Sequence, residues 1–247
     1  VIGMYIEGTK DGRRLFEALK TVSKRKPVVV IKGGRTEAGS TLTMSHTASI
    51  AGKYTAWHVA LKQGGAIEVR SVDEFFDLLK FFSLQPAMQG PNLSVISYSG
   101  SMGILTVDRA TVHGLKVTEY DEETLNDLRN IAFPWTSCFN PLDLSFLVTS
   151  EQYQQSVEIL LKNRDVDAII CIVPALRVRE VGYSVYEVLK GGNDKPVVFC
   201  VPAGETVINY IQEVESLGIP CYFTAERAVD VLARSFEYHR WLASNVH

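Results

Sequence analysis

The sequence predicts an α/β chain of two flavodoxin-like, parallel-sheet domains with helices on both faces, the first incomplete on its N-terminal side. Three observations carry that expectation. Short apolar runs alternate with longer amphipathic ones along the whole chain, the pattern of strands feeding crossover helices. The stretch at 85–92, Gln-Pro-Ala-Met-Gln-Gly-Pro-Asn, breaks that pattern with two prolines and a glycine and reads as a linker between domains at 1–84 and 93–247. Five strands are readable after the linker, which suits a doubly wound sheet, and three before it, which are few for a sheet covered on both faces.

The elements follow in order. Residues 1–6 read as a strand, and 11–23 as a helix with Leu15, Leu19 and Val22 on one face. The run Pro-Val-Val-Val-Ile at 27–31 reads as a buried strand. A polar, glycine-rich stretch at 32–45 is expected to be a loop, followed by a helix at 53–63, a short strand at 66–69 and a helix at 72–82. Beyond the linker the strands fall at 93–98, 115–120, 166–173, 196–201 and 221–223. The helices fall at 101–113, 122–131, 151–163, 179–190, 205–217 and 225–241.

Composition bounds the function. The 247 residues are 46% hydrophobic and 21% charged, the profile of a globular protein, and are enough for one large or two medium domains. A net charge of −3 gives no support for a nucleic-acid partner. No apolar run approaches the roughly 20 residues of a membrane span, so no membrane role is expected. Cys138, Cys171, Cys200 and Cys221 form no Cys-x-x-Cys pair, and two of them sit within apolar runs, which favours a reducing, cytoplasmic setting over disulfides or zinc. Val1 is no natural initiator, so the start is expected to be trimmed, processed or truncated.

Four segments carry chemistry. Lys-Gly-Gly-Arg-Thr-Glu-Ala-Gly-Ser at 32–40 begins where a buried strand ends, the usual place for ligands in α/β folds, and leads into Ser-His-Thr-Ala-Ser-Ile-Ala-Gly at 45–52. His46 stands there among small polar residues, where an imidazole can serve as nucleophile, base or ligand, or can be a plain exposed histidine. Glu7, in Tyr-Ile-Glu-Gly at 5–8, ends the first strand on the same side. It could take the proton of one ring nitrogen and leave the other free, or simply cap the next helix. Ser-Tyr-Ser-Gly-Ser-Met-Gly at 97–103 joins strand to helix and would present backbone N–H groups to an anion through Ser99, Gly100, Ser101 and Gly103; a tight βα turn accounts for it equally well. It is neither a Walker motif nor a nucleophile elbow. Asn-Pro-Leu-Asp at 140–143 marks an active-site loop with Asn140 and Asp143, or a plain turn. No metal site is expected.

In this order and spacing, the segments at 5–8, 32–39, 45–52, 98–103 and 140–143 closely resemble NDP-forming acyl-CoA synthetases, the group that includes ADP-forming acetyl-CoA synthetases and is related to succinyl-CoA synthetase. The resemblance covers nearly the whole chain. It implies an acid–thiol ligase that interconverts acyl-CoA, ADP and phosphate with acid, CoA and ATP through an acyl phosphate and a phosphohistidine. It further implies that His46 is the phosphorylated histidine, that Glu7 orients it, and that Ser99, Gly100 and Gly103 lie at a helix N-terminus facing the phosphoryl group. CoA and ATP/ADP with Mg are implied as substrates of the complete enzyme, with none held tightly by this chain. The implied partners are CoA-binding and ATP-grasp domains, on the same or another chain, in a homo- or hetero-oligomer. The family pattern Ser-Gly-Gly-x-Gly has Ser101 in place of its middle glycine here. Two other readings stay open at this point: an acyl-CoA-sensing core of a protein acetyltransferase, and a non-catalytic flavodoxin-like interaction module.

Overall fold

The computed structural model describes residues 1–47, 53–202 and 207–245, with the side chains of 44–47 outside the described set. Two compact units emerge, one of Val1–Ser83 with the chain from Glu237 onward, the other of Leu84–Phe236.

The first unit runs β1 (Ile2–Ile6), α1 (Gly12–Val22), β2 (Val28–Lys32), α2 (Glu37–Thr47), α3 (Tyr54–Gln63), β3 (Ile67–Val69) and α4 (Val72–Leu84). Its sheet is parallel, in the order β1-β2-β3, with Ile2 opposite Val28 and Val29 opposite Ile67. The β-branched run of β2 is buried because it lies between two strands; β1, with one neighbour among the described residues, leaves Ile2 and Tyr5 exposed. Leu19, Val28, Val30, Leu61 and Ala66 form the core, closed by Met4, Ile6, Leu15 and Val22. Asp11 starts α1 by accepting the N–H of Arg14 at 2.9 Å.

The second unit runs β4 (Asn92–Ser97), α5 (Gly100–Val112), β5 (Lys116–Val117), α6 (Glu122–Ile131), β6 (Leu142–Asp143), α7 (Ser150–Lys162), β7 (Ala168–Ile172), α8 (Val178–Leu189), β8 (Val197–Cys200), α9 (Ile208–Ser216), β9 (Cys221–Tyr222) and the start of α10 (Ala225–Asn245). The strand order is β5-β4-β7-β8-β9, all parallel, which is the flavodoxin order. β7 occupies one edge of β4 from Leu93 to Ser97, so β5 and the two-residue β6 share the other edge in succession. Every residue of β7 and β8 is buried, and Tyr153, Phe199, Leu128 and Leu142 fill the core around them. Thr149 and Gln152 cap α7 reciprocally, and Asp121 caps α6.

Three departures from the sequence reading matter. The polar stretch after β2 is a helix from Glu37, so the backbone of His46 lies in the last turn of α2 and not in a loop. Thr36 nucleates this helix, its Oγ1 accepting the N–H of Gly39 at 3.1 Å. The stretch at 85–92, read as a linker, packs within the second unit: Gln85 donates to Gly218 O at 2.7 Å and accepts from Val197 N at 2.9 Å, and buried Met88 bonds Ser235. The last helix begins in the second unit, but from Glu237 it belongs to the first, where Tyr238 donates to Ser23 O at 2.7 Å.

Candidate functional site

The site in the second unit is built at the carboxyl end of β4. Adjacent β4 and β7 are followed by helices leading to opposite sides of the sheet, and the crevice outside such a switch point is where doubly wound folds take ligands. Ser97 is fully buried and shapes the turn: its Oγ donates to Ser99 O at 2.7 Å and accepts from Ser99 N at 3.0 Å. Ser99 is therefore held extended (φ −144°, ψ 117°) as the residue before α5, with no side-chain cap on the helix. The first N–H groups of α5 have no intrahelical acceptor by geometry and here no side-chain cap either, and Gly100 and Ser101, which carry two of them, are exposed. The hydroxyls of Ser99 and Ser101 pair at 3.1 Å.

Gly103 does not belong to that open end. Its N–H donates to Ser99 O at 3.0 Å and the residue is buried, with the place of a Cβ only 2.9 Å from Pro141 Cβ. Glycine is needed there so that the β6 segment can lie against α5. Asn140 is also framework. Its Oδ1 accepts Val95 N at 2.9 Å, and its Nδ2 donates to Leu93 O at 2.7 Å and Thr118 O at 3.0 Å. The side chain bridges the gap on β4 between β5 and β6, doing there what a strand backbone does elsewhere, before a cis bond to Pro141. Asp143 lies closer to the opening. Its Oδ1 accepts Ser145 N at 2.9 Å, and Oδ2 stands 3.1 Å from where a Cβ on Gly100 would be.

In the first unit, the ends of β1 and β2 meet around Lys32. Glu7 accepts the Tyr5 hydroxyl at 2.8 Å, which raises the Tyr5 pKa above its ordinary value, and Gly33 N donates to Ile6 O at 2.9 Å. Lys32 is 3% exposed. Its ammonium donates to Glu7 O at 2.6 Å and to Gly33 O, and lies 5.0 Å from the centre of the Trp57 ring. Burial lowers its pKa, opposed by the charges of Glu7 and Glu68. Gly34 then takes φ +71°, with the place of a Cβ taken up by the Thr43 hydroxyl, and α2 follows. The His46 side chain, and with it the expected contact to Glu7, lies outside the described residues. Sequence reasoning misses Lys32 and Tyr5 as site-building residues, and it places Asn140 in the loop without its framework role. A lysine closing a run of four β-branched residues is the signal available for the first.

Among the described residues no group of three or more His, Cys, Asp or Glu side chains could hold a metal ion. None of their helices is long and apolar enough to cross a membrane.

The fold and this turn define a two-unit, parallel-sheet α/β chain with an uncapped helix end at its switch point. Residues 1–82 match the succinyl-CoA ligase like flavodoxin domain, and residues 93–246, well over half of the chain, match the ligase-CoA domain. The chain belongs to the ligase-CoA domain family. Over 95% of its length it is 34% identical to an acetate–CoA ligase [ADP-forming] II subunit alpha of Pyrococcus furiosus, of which it covers 52%. Over 96% it is 36% identical to an acetate–CoA ligase [ADP-forming] II of Archaeoglobus fulgidus, of which it covers 36%. A dinucleotide forming acetyl-coenzyme A synthetase 1 of Ca. Korarchaeum cryptofilum, solved with phosphate and ADP, superposes with a TM-score of 0.89 at 28% identity, covering 100% of this chain and 55% of that one. The chain thus spans between about a third and a half of the curated relatives it matches.

Proposed function

We propose that this chain is the histidine-bearing core of an acyl-CoA synthetase that couples thioester cleavage to nucleotide phosphorylation. Phosphate attacks the thioester carbon of acyl-CoA and the thiolate of CoA leaves, giving an acyl phosphate. A ring nitrogen of His46 attacks phosphorus, the carboxylate leaves, and the phosphohistidine passes its phosphoryl group to ADP. Glu7 holds the proton on the other nitrogen, which fixes the tautomer that attacks. The uncapped end of α5, through the N–H groups of Gly100 and Ser101 and the Ser99 hydroxyl, is in this reading a binding site for an anionic phosphoryl group. Gly103, Asn140 and Pro141 hold that end in place. Asp143, a carboxylate beside it, sets the turn through Ser145 and is not an anion ligand.

The observation that supports this reading most is the open N-terminus of α5 at the switch point, in a chain aligned over 95–98% of its length with relatives named ADP-forming acetate–CoA ligases. CoA, ADP and its magnesium are substrates in this proposal. The CoA-binding and ATP-grasp domains are supplied from beyond the chain, in line with relatives about twice its length.

The test is to incubate the purified chain with labelled acetyl phosphate and locate the label by mass spectrometry. An acid-labile, base-stable phosphoryl group on His46, absent in His46→Ala and discharged by Mg-ADP once an ATP-grasp partner is added, is the expected result. Label elsewhere, or none, overturns the proposal.

A further inference from the structure

Among the described residues, Lys195 and Lys32 each turn an ammonium group onto two backbone carbonyls. Lys195 donates to Leu161 O at 2.9 Å and Asn163 O at 2.6 Å, joining the last turn of α7 to the chain that leads into β8. That is a clamp at the amino end of a strand. Lys32 makes the same kind of pair at the carboxyl end of β2, but its two carbonyls belong to Glu7 and Gly33. One is the residue just after β1, which carries a carboxylate; the other opens the turn into α2. A third contact, the Trp57 ring face at 5.0 Å, comes from α3. An ammonium has three N–H groups, and two go to carbonyls while an aromatic face covers the nitrogen, so Lys32 has little left with which to grip a ligand.

Burying this charge is costly in itself. The alternatives available to the fold are simple: a neutral side chain at position 32 would continue the apolar run of β2. What the ammonium adds is a fixed distance between the Glu7 backbone and the Gly33 turn. That turn has a second restraint, Gly33 N to Ile6 O at 2.9 Å, and is continued by Gly34 at φ +71° against Thr43. We propose that Lys32 is a positioning residue of the candidate phosphoryl-transfer site: through its paired bonds to Glu7 O and Gly33 O it fixes the Glu7 carboxylate relative to α2, and so decides which imidazole nitrogen is presented. It touches no reacting atom. The inference rests on the proposed role of His46 and Glu7.

The experiment uses this chain and potassium phosphoramidate, which phosphorylates imidazole as ammonia leaves with the ring proton. Phosphorus NMR distinguishes the Nδ1 from the Nε2 phosphohistidine. The unaltered chain should give a single isomer at His46. Lys32→Met should give a mixture of isomers and a rate at least tenfold lower, with Glu7→Gln giving the same mixture. Lys195→Met, which loses the same number of carbonyl bonds, should lower the melting temperature and keep the single isomer. Lys32→Met with one isomer and a rate within twofold of the unaltered chain overturns the inference while leaving the reading of His46 standing. No label at His46 in the unaltered chain overturns that reading and the inference together. If Lys32→Met does not fold, lysine-selective nitrogen labelling of the unaltered chain decides. The Lys32 ammonium resonance should shift in Glu7→Gln and on phosphorylation of His46, and a resonance unmoved by both overturns the inference.

Discussion

The turn after β2 and the turn after β4 occupy equivalent places, each at the carboxyl end of a buried parallel strand, and they are built by opposite means. After β2 the chain is held by a buried cation on two carbonyls and by a glycine in the left-handed region. After β4 it is held by a buried serine hydroxyl and by a side-chain amide standing in for a strand. The first turn is specified by charge and close approach, and its parts come from α2 and α3 as well as the sheet. The second is specified by neutral hydrogen bonds that leave the next helix end without a side-chain cap. The difference separates two tasks: the first ties down the backbone of Glu7, and the second keeps positive partial charge available at the start of α5.

The comparison breaks most severely at Asn140. Asn140→Ala removes three hydrogen bonds to the backbone of β4 and the chain after β5, and strands the N–H of fully buried Val95. The expected loss is about 4 kcal/mol of stability, at about 1 kcal/mol per bond plus the penalty of an unpaired buried donor. Urea titration followed by Trp135 fluorescence, in a variant without Trp57 and Trp241, measures it in the second unit. A loss below about 1 kcal/mol would show that the bridge is ornamental and that Asn140 is free for chemistry.

The matching cut in the first turn is Gly34→Ala. A β-carbon there would overlap the Thr43 hydroxyl and would sit on a residue at φ +71°. Left-handed strain of about 1–2 kcal/mol and a similar overlap cost sum to roughly 3 kcal/mol. Gly114, at φ +75° with nothing within 4 Å of where a methyl would stand, carries the strain alone, so Gly114→Ala should cost about half as much. Equal costs for the two would remove Thr43 from the account of the first turn.

How much of this is legible in the sequence depends on whether an element declares itself locally. β2, β7 and β8 are runs of apolar, mostly β-branched residues, and the sequence places their ends within two residues; α1, α6 and α7 carry their own caps in Asp11, Asp121 and Thr149. α2 reads as a loop because Gly39, the serines and the threonines give it no apolar stripe, and its start depends on Thr36 and its packing on Thr43 against Gly34. β6 is two residues long and exists because Asn140 and Pro141 align it on β4. Gln85 reads as linker material, since its partners Val197 and Gly218 lie more than a hundred positions away. In the candidate site, the exposed part of the β4 turn is visible as a Ser/Gly cluster, whereas the roles of Lys32 and Asn140 depend on backbone groups of Glu7, Val95, Leu93 and Thr118, 22 to 47 positions away, that no local pattern shows.

A smaller effect sharpens the electrostatic side of the comparison. Asp143 Oδ2 lies next to Gly100, at the end of α5 proposed to receive the phosphoryl group. Asp143→Asn keeps an oxygen for Ser145 N and removes one negative charge. Inorganic phosphate should bind this variant about fivefold more tightly, on the order of 1 kcal/mol for one partly screened charge. Calorimetric titration reads the change, and weaker binding would make Asp143 a supporter of the anion and not a brake on it.

The smallest expected effect is at Ser101, where the related pattern has glycine. Its hydroxyl is exposed, lies in the first turn of α5 and pairs with Ser99 at 3.1 Å. That pairing keeps both hydroxyls beside the free N–H groups, so one hydroxyl can give its proton to an anion while its own oxygen accepts the proton of the other. Ser101→Gly removes one donor and also loosens the first turn of the helix, because glycine loses more backbone entropy on ordering. Ser101→Ala removes the donor and leaves the turn stiff. If the hydroxyl is what counts, both variants should bind phosphate about three- to fivefold more weakly, near 1 kcal/mol for one hydrogen bond. If stiffness of the turn is what counts, alanine should bind as the serine does and glycine alone should weaken. The hydrogen-bonded pair favours the first result. An unchanged affinity in both variants would mean that the helix N–H groups carry the anion alone, and that serine at 101 is a neutral replacement of glycine.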